Sequence, residues 1–425
     1  FMLKSCSNNY FFYKFYNNLK TIHLFNKNNI YSSLKFVLLF FCFLTNAQSA
    51  FEISEPEIQG ISSNKLSDLD SIMHTYVDNK SLSAVQTAIV KNGKLVHFDS
   101  YGYSNIDLEK PLSNNDIFRI ASMTKPVVSV ALMMLHEKGE FNLMDPVSKF
   151  IPEFKNLTKG NKGKITRNEI KIIDLLRHSA GLEFKGPESY RESIGLTLEE
   201  FVKKSIKSPL KYEPGTQWRY SFSTDICGYL IEIISGMTLD NFLKTHVFEP
   251  LNMKDTFFEL PPEKKERFTT LYALEKDILT VFDEPSSSPF ARNVTLFSGA
   301  GGLLSTTNDY LIFCQMLLNG GKFNETRIIQ PSTLNLMLKD HAKGLKYKKL
   351  IFGKKKGFGL GFEIINKENT KFGSKGTYGW GGIFGTYFRI DPVENMIFIY
   401  MTQSFETYNL KLSEKFRGLV YDSLL

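Results

Sequence analysis

Ser122-Met123-Thr124-Lys125 sets a hydroxyl and an amine three residues apart at the start of a predicted helix. At that spacing the two side chains share one helical face, so the amine can reach the hydroxyl. A serine becomes a good nucleophile only when a base takes its proton, and a lysine acts as that base only where its surroundings favour the neutral amine. The tetrapeptide alone is a weak signal, because Ser-x-x-Lys also arises as a helix cap beside a solvated lysine. Its neighbours give it weight.

Asp116-Ile117-Phe118-Arg119-Ile120-Ala121 leads into the tetrapeptide. The helix behind it carries Val127, Val128, Val130, Ala131, Met134 and Leu135 and stops at Gly139, with Pro126 early, where a missing amide proton costs little. Upstream, Gln86–Val90 and Leu95–Tyr101 read as strands joined by Lys91-Asn92-Gly93-Lys94. Asn-Gly between such runs signals a hairpin, since both residues tolerate positive φ. Downstream, helices are expected at Ile172–Arg177, closing on His178-Ser179-Ala180-Gly181, and at Thr224–Ser235, closing on Gly236. Strands return at Gly361–Ile365, Gly385–Ile390 and Met396–Met401, the last two joined by Asp391-Pro392-Val393-Glu394-Asn395. A helix from about Thr407 to Leu425 closes the chain. Strands at both ends with helices between predict an α/β (α+β) fold. One antiparallel sheet is built from N- and C-terminal segments, residues 51–145 and 296–425, with flanking helices and a mainly helical lobe inserted at 146–295.

A hydrolase built on Ser122 needs a proton route to the leaving group and donors for a developing oxyanion. Pro214-Gly215-Thr216-Gln217-Trp218-Arg219-Tyr220-Ser221 is a turn that delivers a tyrosine just before a helix. Tyr378-Gly379-Trp380-Gly381-Gly382-Ile383-Phe384-Gly385 is glycine-rich and reads as a strand edge whose amides can approach a ligand closely. His178, at a helix end, reads as a structural hydrogen-bonder, and Asp225 as support for the start of its helix. Ser298-Gly299-Ala300-Gly301-Gly302 lacks the lysine of a phosphate loop and reads as backbone passing close to the cleft.

With these segments in order, the chain resembles the serine β-lactamase-like hydrolase family, which includes class C β-lactamases, family VIII carboxylesterases and D-Ala-D-Ala carboxypeptidases. The resemblance spans about residues 80 to 405. It rests on Phe118 to Lys125, Asp174-Leu175-Leu176-Arg177-His178-Ser179-Ala180-Gly181-Leu182, Pro214-Gly215-Thr216 with Tyr220-Ser221, Gly301 to Thr306, and Gly379-Trp380-Gly381-Gly382. It implies a β-lactamase/transpeptidase-like fold and acylation of Ser122, with Lys125 and Tyr220 sharing base and acid duties. It also implies an oxyanion hole from the backbone amides of Ser122 and Ile383, substrate contacts at Trp380, Gly381 and Gly382, and no metal or organic cofactor. Two departures stand out. Where β-lactamases of this family carry Tyr-x-Asn, this chain reads Tyr220-Ser221-Phe222, and where they carry Lys-Thr-Gly it reads Trp380-Gly381-Gly382. The missing lysine and threonine help hold a substrate carboxylate, so the expected substrate is a small carboxylic ester with an uncharged or apolar acyl group. The alternatives are a β-lactamase or D-amino-acid peptidase acting on wall-type amides, and a non-catalytic envelope binding module of the same fold.

The charge distribution excludes nucleic acid as a partner. The formal net charge is +8, yet residues 1–50 hold five lysines and no acid, which leaves 47 basic and 44 acidic residues, a net of +3. The apolar run Phe36 to Leu44, behind Lys35 and ahead of Thr45-Asn46-Ala47-Gln48-Ser49-Ala50, has the three parts of a secretory signal. It falls short of the roughly 20 apolar residues that a membrane-spanning helix needs. Cleavage after Ala47, Ser49 or Ala50 and a periplasmic or secreted location are expected. Phe1 to Ser33 reads as upstream sequence or an overlong leader, with initiation at Leu34. Cys227 and Cys314, in apolar helical surroundings, are expected as buried free thiols. Lys343 to Lys356 contains seven lysines and reads as a solvated loop, or as a peripheral contact with anionic lipid or an acidic wall polymer.

Overall fold

The computed structural model describes residues 50–183, 192–346, 355–367, 373–405 and 410–425. The expected leader up to Ser49, residues 347–354 of the lysine-rich stretch and residues 407–409 of the expected last helix lie outside the described residues. From Phe51 onward the chain forms one compact unit.

Met396–Met401 (MIFIYM) is apolar at every position, and the structure gives the reason. As strand β12 it runs through the middle of the principal sheet, with Met396, Phe398 and Tyr400 buried on one face and Ile397, Ile399 and Met401 on the other. Successive side chains of a strand point to opposite faces, so a strand covered on both sides has no polar position. Apart from the two-residue pieces Lys110–Pro111, which pairs with the third strand, Thr158–Lys159, Lys164–Ile165, Lys322–Phe323 and Thr326–Arg327, the strands in chain order are β1 Glu52–Ile53, β2 Ala84–Lys91, β3 Lys94–Asn105, β4 Phe118–Arg119, β5 Leu271–Glu275, β6 Ile278–Asp283, β7 Leu304–Ser305, β8 Lys356–Phe358, β9 Glu363–Ile365, β10 Tyr378–Gly382, β11 Thr386–Asp391 and β12. The principal sheet has the order β1-β3-β2-β12-β11-β10-β9-β8 and is antiparallel except at the β1–β3 edge. β2 and β12 join the two ends of the chain, with Ala88 opposite Ile399 and Val90 opposite Ile397. The expected hairpin connects β2 to β3, and Asn92 and Gly93 take positive φ of 54° and 74°. That is the backbone a tight two-residue turn requires.

The helices that matter here are α1 Ser63–Asp78, α2 Thr124–Glu137, α3 Ile172–Leu176, α4 Leu198–Ser205, α5 Ser223–Ser235, α6 Thr307–Leu318 and α7 Leu412–Asp422, beside other short ones such as Pro331–Met337. One sheet face is covered by α1 and α7 through Leu66, Leu69, Met73, Leu412, Phe416 and Val420. The opposite face shares one continuous core with α2, α3, α5 and α6. Residues of the inserted segment, such as Leu175, Ile226 and Leu230, belong to that same core. The segment also contains a hairpin not expected from the sequence, β5 paired with β6. Cys227 and Cys314 are free and buried, with burial pushing both thiols well above their ordinary range.

Candidate active site

The stretch before Ser122 is held by backbone-mimicking side chains. Gln403 Oε1 accepts the Arg119 amide and Gln403 Nε2 donates to the Arg119 carbonyl, both at 3.1 Å. Thr386 Oγ1 donates to the Ile120 carbonyl at 3.1 Å, and Tyr310 OH to the Met123 carbonyl at 2.9 Å. Between these clamps Ala121 takes a left-handed φ of 44°. Such a conformation costs a non-glycine residue roughly 1–3 kcal/mol and is kept at functional turns. Residues 121–123 form a single 3₁₀ turn that runs into α2. Ser122 therefore stands at the mouth of the helix and Lys125 within its first turn.

Lys125 is 2% exposed. Its Nζ donates to Ser122 Oγ at 3.1 Å and to the Ala300 carbonyl at 2.6 Å, and lies 4.6 Å from the centre of the Tyr220 ring. Tyr220 OH donates to Ser122 Oγ at 2.6 Å. Three residues from two distant segments thus meet at one oxygen. The Ala300 carbonyl is itself fixed. Asp225 Oδ1, from the first turn of α5, accepts Ser298 Oγ at 2.7 Å and the Ala300 amide at 3.1 Å. Asp225 does sit at the start of its helix, yet its carboxylate serves the glycine-rich segment opposite. The sequence offered a faint signal of this, an acid directly before the apolar run Ile226-Cys227-Gly228-Tyr229-Leu230.

Tyr220 is braced by rings. His178 lies 4.9 Å and Trp380 5.8 Å from it, and Phe358 packs against both His178 and Trp380. His178 is fully buried with φ 56°, and its Nδ1 faces Ser221 Oγ at 3.4 Å. Burial, reinforced by the Lys125 charge, holds its protonation far below the ordinary histidine range. It is a neutral wedge behind Tyr220. The surrounding motif is structural too: Asp174 Oδ1 accepts Ser179 Oγ at 2.7 Å and an Arg177 guanidinium nitrogen at 2.8 Å, which fixes the turn that carries His178. Phe222, in the place of the Tyr-x-Asn asparagine, is buried against Phe201 with ring centres 6.0 Å apart and presents nothing polar to the site.

Trp380, Gly381 and Gly382 extend β10 beyond its partner β9, which pairs only with Tyr378 and Gly379. Their outer edge is therefore open beside the Ser122 turn. A Cβ on Gly382 would come within 2.5 Å of the Ile120 carbonyl and would strike Thr386 Oγ1, so only glycine permits this approach. The next turn closes through Gly385 N to Gly382 O at 3.1 Å, and among the described residues no turn hydrogen bond engages the Ile383 amide. A cavity of about 200 Å³ opens beside Ser122 and Ile383. Among the described residues no cluster of three or more His, Cys, Asp or Glu side chains is arranged to hold a metal ion.

The family model of the Beta-lactamase family matches residues 69–417. Protein Rv1367c of Mycobacterium tuberculosis is 31% identical over 346 residues, covering 76% of this chain and 86% of its own. A Salmonella typhimurium protein provisionally named a D-alanyl-D-alanine carboxypeptidase is 28% identical over 412 residues, covering 86% and 90%. Among solved structures, EstCE1, a hydrolase with promiscuous acyltransferase activity, superposes with a TM-score of 0.72 at 24% identity, covering 84% of this chain and 99% of its own. Unliganded simvastatin synthase (LovD) from Aspergillus terreus gives 0.71 at 19% identity, covering 85% and 98%. At those identities the two structures speak for the fold alone.

Proposed function

This chain belongs to the Beta-lactamase family, and we propose that it cleaves carboxylic esters through an acyl-enzyme on Ser122. The observation that carries the reading is the convergence on one hydroxyl: Ser122 Oγ has Lys125 Nζ at 3.1 Å and Tyr220 OH at 2.6 Å. Ser122 Oγ attacks the ester carbonyl carbon while its proton passes to the Lys125–Tyr220 pair. The carbonyl oxygen takes the negative charge and is met by the Ser122 and Ile383 amides, donors fixed in advance and therefore effective. As the carbonyl re-forms, the bond to the alkoxy oxygen breaks and that oxygen receives the proton held by the pair. Water then attacks the acyl-enzyme, gives a proton to the same pair, and Ser122 Oγ leaves with a proton as the carboxylic acid departs. Between the steps the proton stays with these two groups.

Ester is preferred to amide because the side chains that would hold a substrate carboxylate are absent. Trp380 stands in place of the lysine and packs on Tyr220, and Phe222 is turned into the core. The Salmonella relative's name points to the amide reading, and one experiment separates the two. Wild-type protein is expected to hydrolyse p-nitrophenyl acetate and to take a fluorophosphonate label, and Ser122→Ala to do neither. A chromogenic cephalosporin is expected to survive the same incubation. Labelling that persists in Ser122→Ala would remove Ser122 from the mechanism, and rapid cephalosporin turnover would favour the amide reading.

A further inference from the structure

Ester chemistry leaves open which half of the substrate is recognised, and the cavity beside Ser122 distinguishes the halves. Ala121, Ser122, Ile383 and Gly301 are on its wall, while Lys125, Tyr220 and Trp380 are not among the described residues that line it. The cavity therefore extends from the nucleophile and the oxyanion side, and meets the proton carrier only through Ala300, whose carbonyl accepts from Lys125 Nζ. In the tetrahedral intermediate the carbon holds four groups: Ser122 Oγ, the oxyanion, the leaving alkoxy oxygen and the acyl chain. The oxyanion points to the Ile383 amide, and the leaving oxygen must face Tyr220 to be protonated. The direction that remains is the cavity.

Resting on the esterase reading above, we propose that this cavity is the acyl-binding site and takes a compact, uncharged, apolar acyl group. Its wall is made by Leu271, Phe282, Phe290, Val294 and Leu296, with Ile194 and Ile383, 62% and 42% exposed, at the rim. At about 200 Å³ it is smaller than the ~300–1,000 Å³ of sites for drug-sized ligands, so chain length is limited. The two charged groups on its floor cancel. Arg119 Nε donates to Asp283 Oδ2 at 2.6 Å, its other nitrogens reach the Thr269 carbonyl and Ser288 Oγ, and its guanidinium lies 3.8 Å from the Phe268 ring centre. That pair also joins β4, just before Ser122, to β6, which brings Phe282 to the wall. The specificity wall is thus tied to the nucleophile strand. Arg292, on the exposed rim, donates to the Ser286 carbonyl.

The test varies one half of the ester at a time on the full-length protein. In p-nitrophenyl esters from acetate to decanoate, kcat/KM is expected to climb about tenfold or more to a medium chain and then fall, since one methylene in an apolar pocket changes the rate by roughly 10-fold or more. In acetates of straight-chain alcohols of the same lengths it is expected to vary by less than about threefold. Val294→Trp is expected to move the acyl optimum to a shorter chain; should that variant fail to fold, the two wild-type series decide the matter alone. A flat acyl series with a steep alcohol series overturns the assignment but leaves esterase activity standing. A hemisuccinate ester that outpaces every alkanoyl ester overturns the uncharged class and points to Arg292. Absence of any ester turnover overturns both this assignment and the reading on which it rests.

Discussion

Tyr220 reaches Ser122 Oγ with the shorter of two hydrogen bonds, 2.6 Å against 3.1 Å for Lys125. Its ring is fixed by His178 on one side and Trp380 on another, so the hydroxyl arrives at a set position and not as one of several rotamers. Tyr220→Phe keeps the ring and its packing and removes only the proton-carrying oxygen. It is expected to lower kcat on a p-nitrophenyl ester by about 10²–10⁴-fold, the range for losing a positioned general acid–base group, with KM little changed. Steady-state kinetics check this, and a rise in KM at constant kcat would show Tyr220 to be a binding group instead. At this scale the sequence pointed clearly to the side chains that meet at Ser122 Oγ and poorly to those that support them. Ser122 and Lys125 stand out because their spacing has a chemical purpose, and Tyr220 through the motif that carries the family resemblance. Asp225 acts on Ala300, 75 residues away, through a contact only the fold creates.

Among the elements, β10 is the one whose exact course matters to the site, because its last three residues run past β9 and lie against the Ser122 turn. Gly382→Ala tests that fit. The added methyl would meet the Ile120 carbonyl at 2.5 Å, and that carbonyl is backbone already held by Thr386. The strand must move, and the Ile383 amide moves with it. A loss of about 10²–10³-fold in kcat is expected, the amount typical of removing one oxyanion donor, in protein that still folds. Circular dichroism beside the kinetics checks this, and near-wild-type turnover would show that the Ile383 amide is not needed. Elements with local signals were legible in the sequence. Asn92-Gly93 marked the β2–β3 turn, and Gly236 ended α5 with the left-handed φ of 71° that glycine accepts freely. The β5–β6 hairpin was not legible, because its turn is Lys276-Asp277, which take positive φ of 51° and 64° without a glycine or asparagine to announce them. That missed hairpin supplies Leu271 and Phe282 to the cavity, so the motif reading pointed to the proposed nucleophile and not to the wall beside it.

Across the whole molecule, strand-like runs at both ends with helices between were enough to infer one sheet from two ends of the chain, whereas the inserted segment is held by a shared apolar core and by single buried polar contacts that only the fold creates. Asp309, in the first turn of α6, is one of them. Its Oδ2 accepts the Asp255 amide at 2.7 Å and Thr256 Oγ1 at 3.0 Å, tying α6 to the end of the helical segment. Burial, with some help from the Asp255 charge, raises its pKa to about 6 from an ordinary 3.8. An acid with a raised folded-state pKa holds a proton in the native state at pH values where the unfolded chain has released it, so its contribution is fully present below about pH 4 and is lost as pH rises through about 6. His97 works in the opposite sense: burial lowers its pKa to about 4, so stability is lost as pH falls below 6.5. The Asp70 carboxylate 3.3 Å from it is raised to about 6, chiefly by burial, and offsets part of that slope. Asp309 has no such histidine among the partners that shift it. Asp309→Asn keeps an acceptor for both hydrogen bonds and cannot ionise. At pH 7.5 it is expected to be more stable than wild type by about 3 kcal/mol, the free energy of a shift of that size, with the gap closing near pH 4. Denaturant unfolding of both proteins at the two pH values measures this directly. An advantage of equal size at both would mean that packing or hydrogen bonding, and not ionisation, separates the variant from wild type.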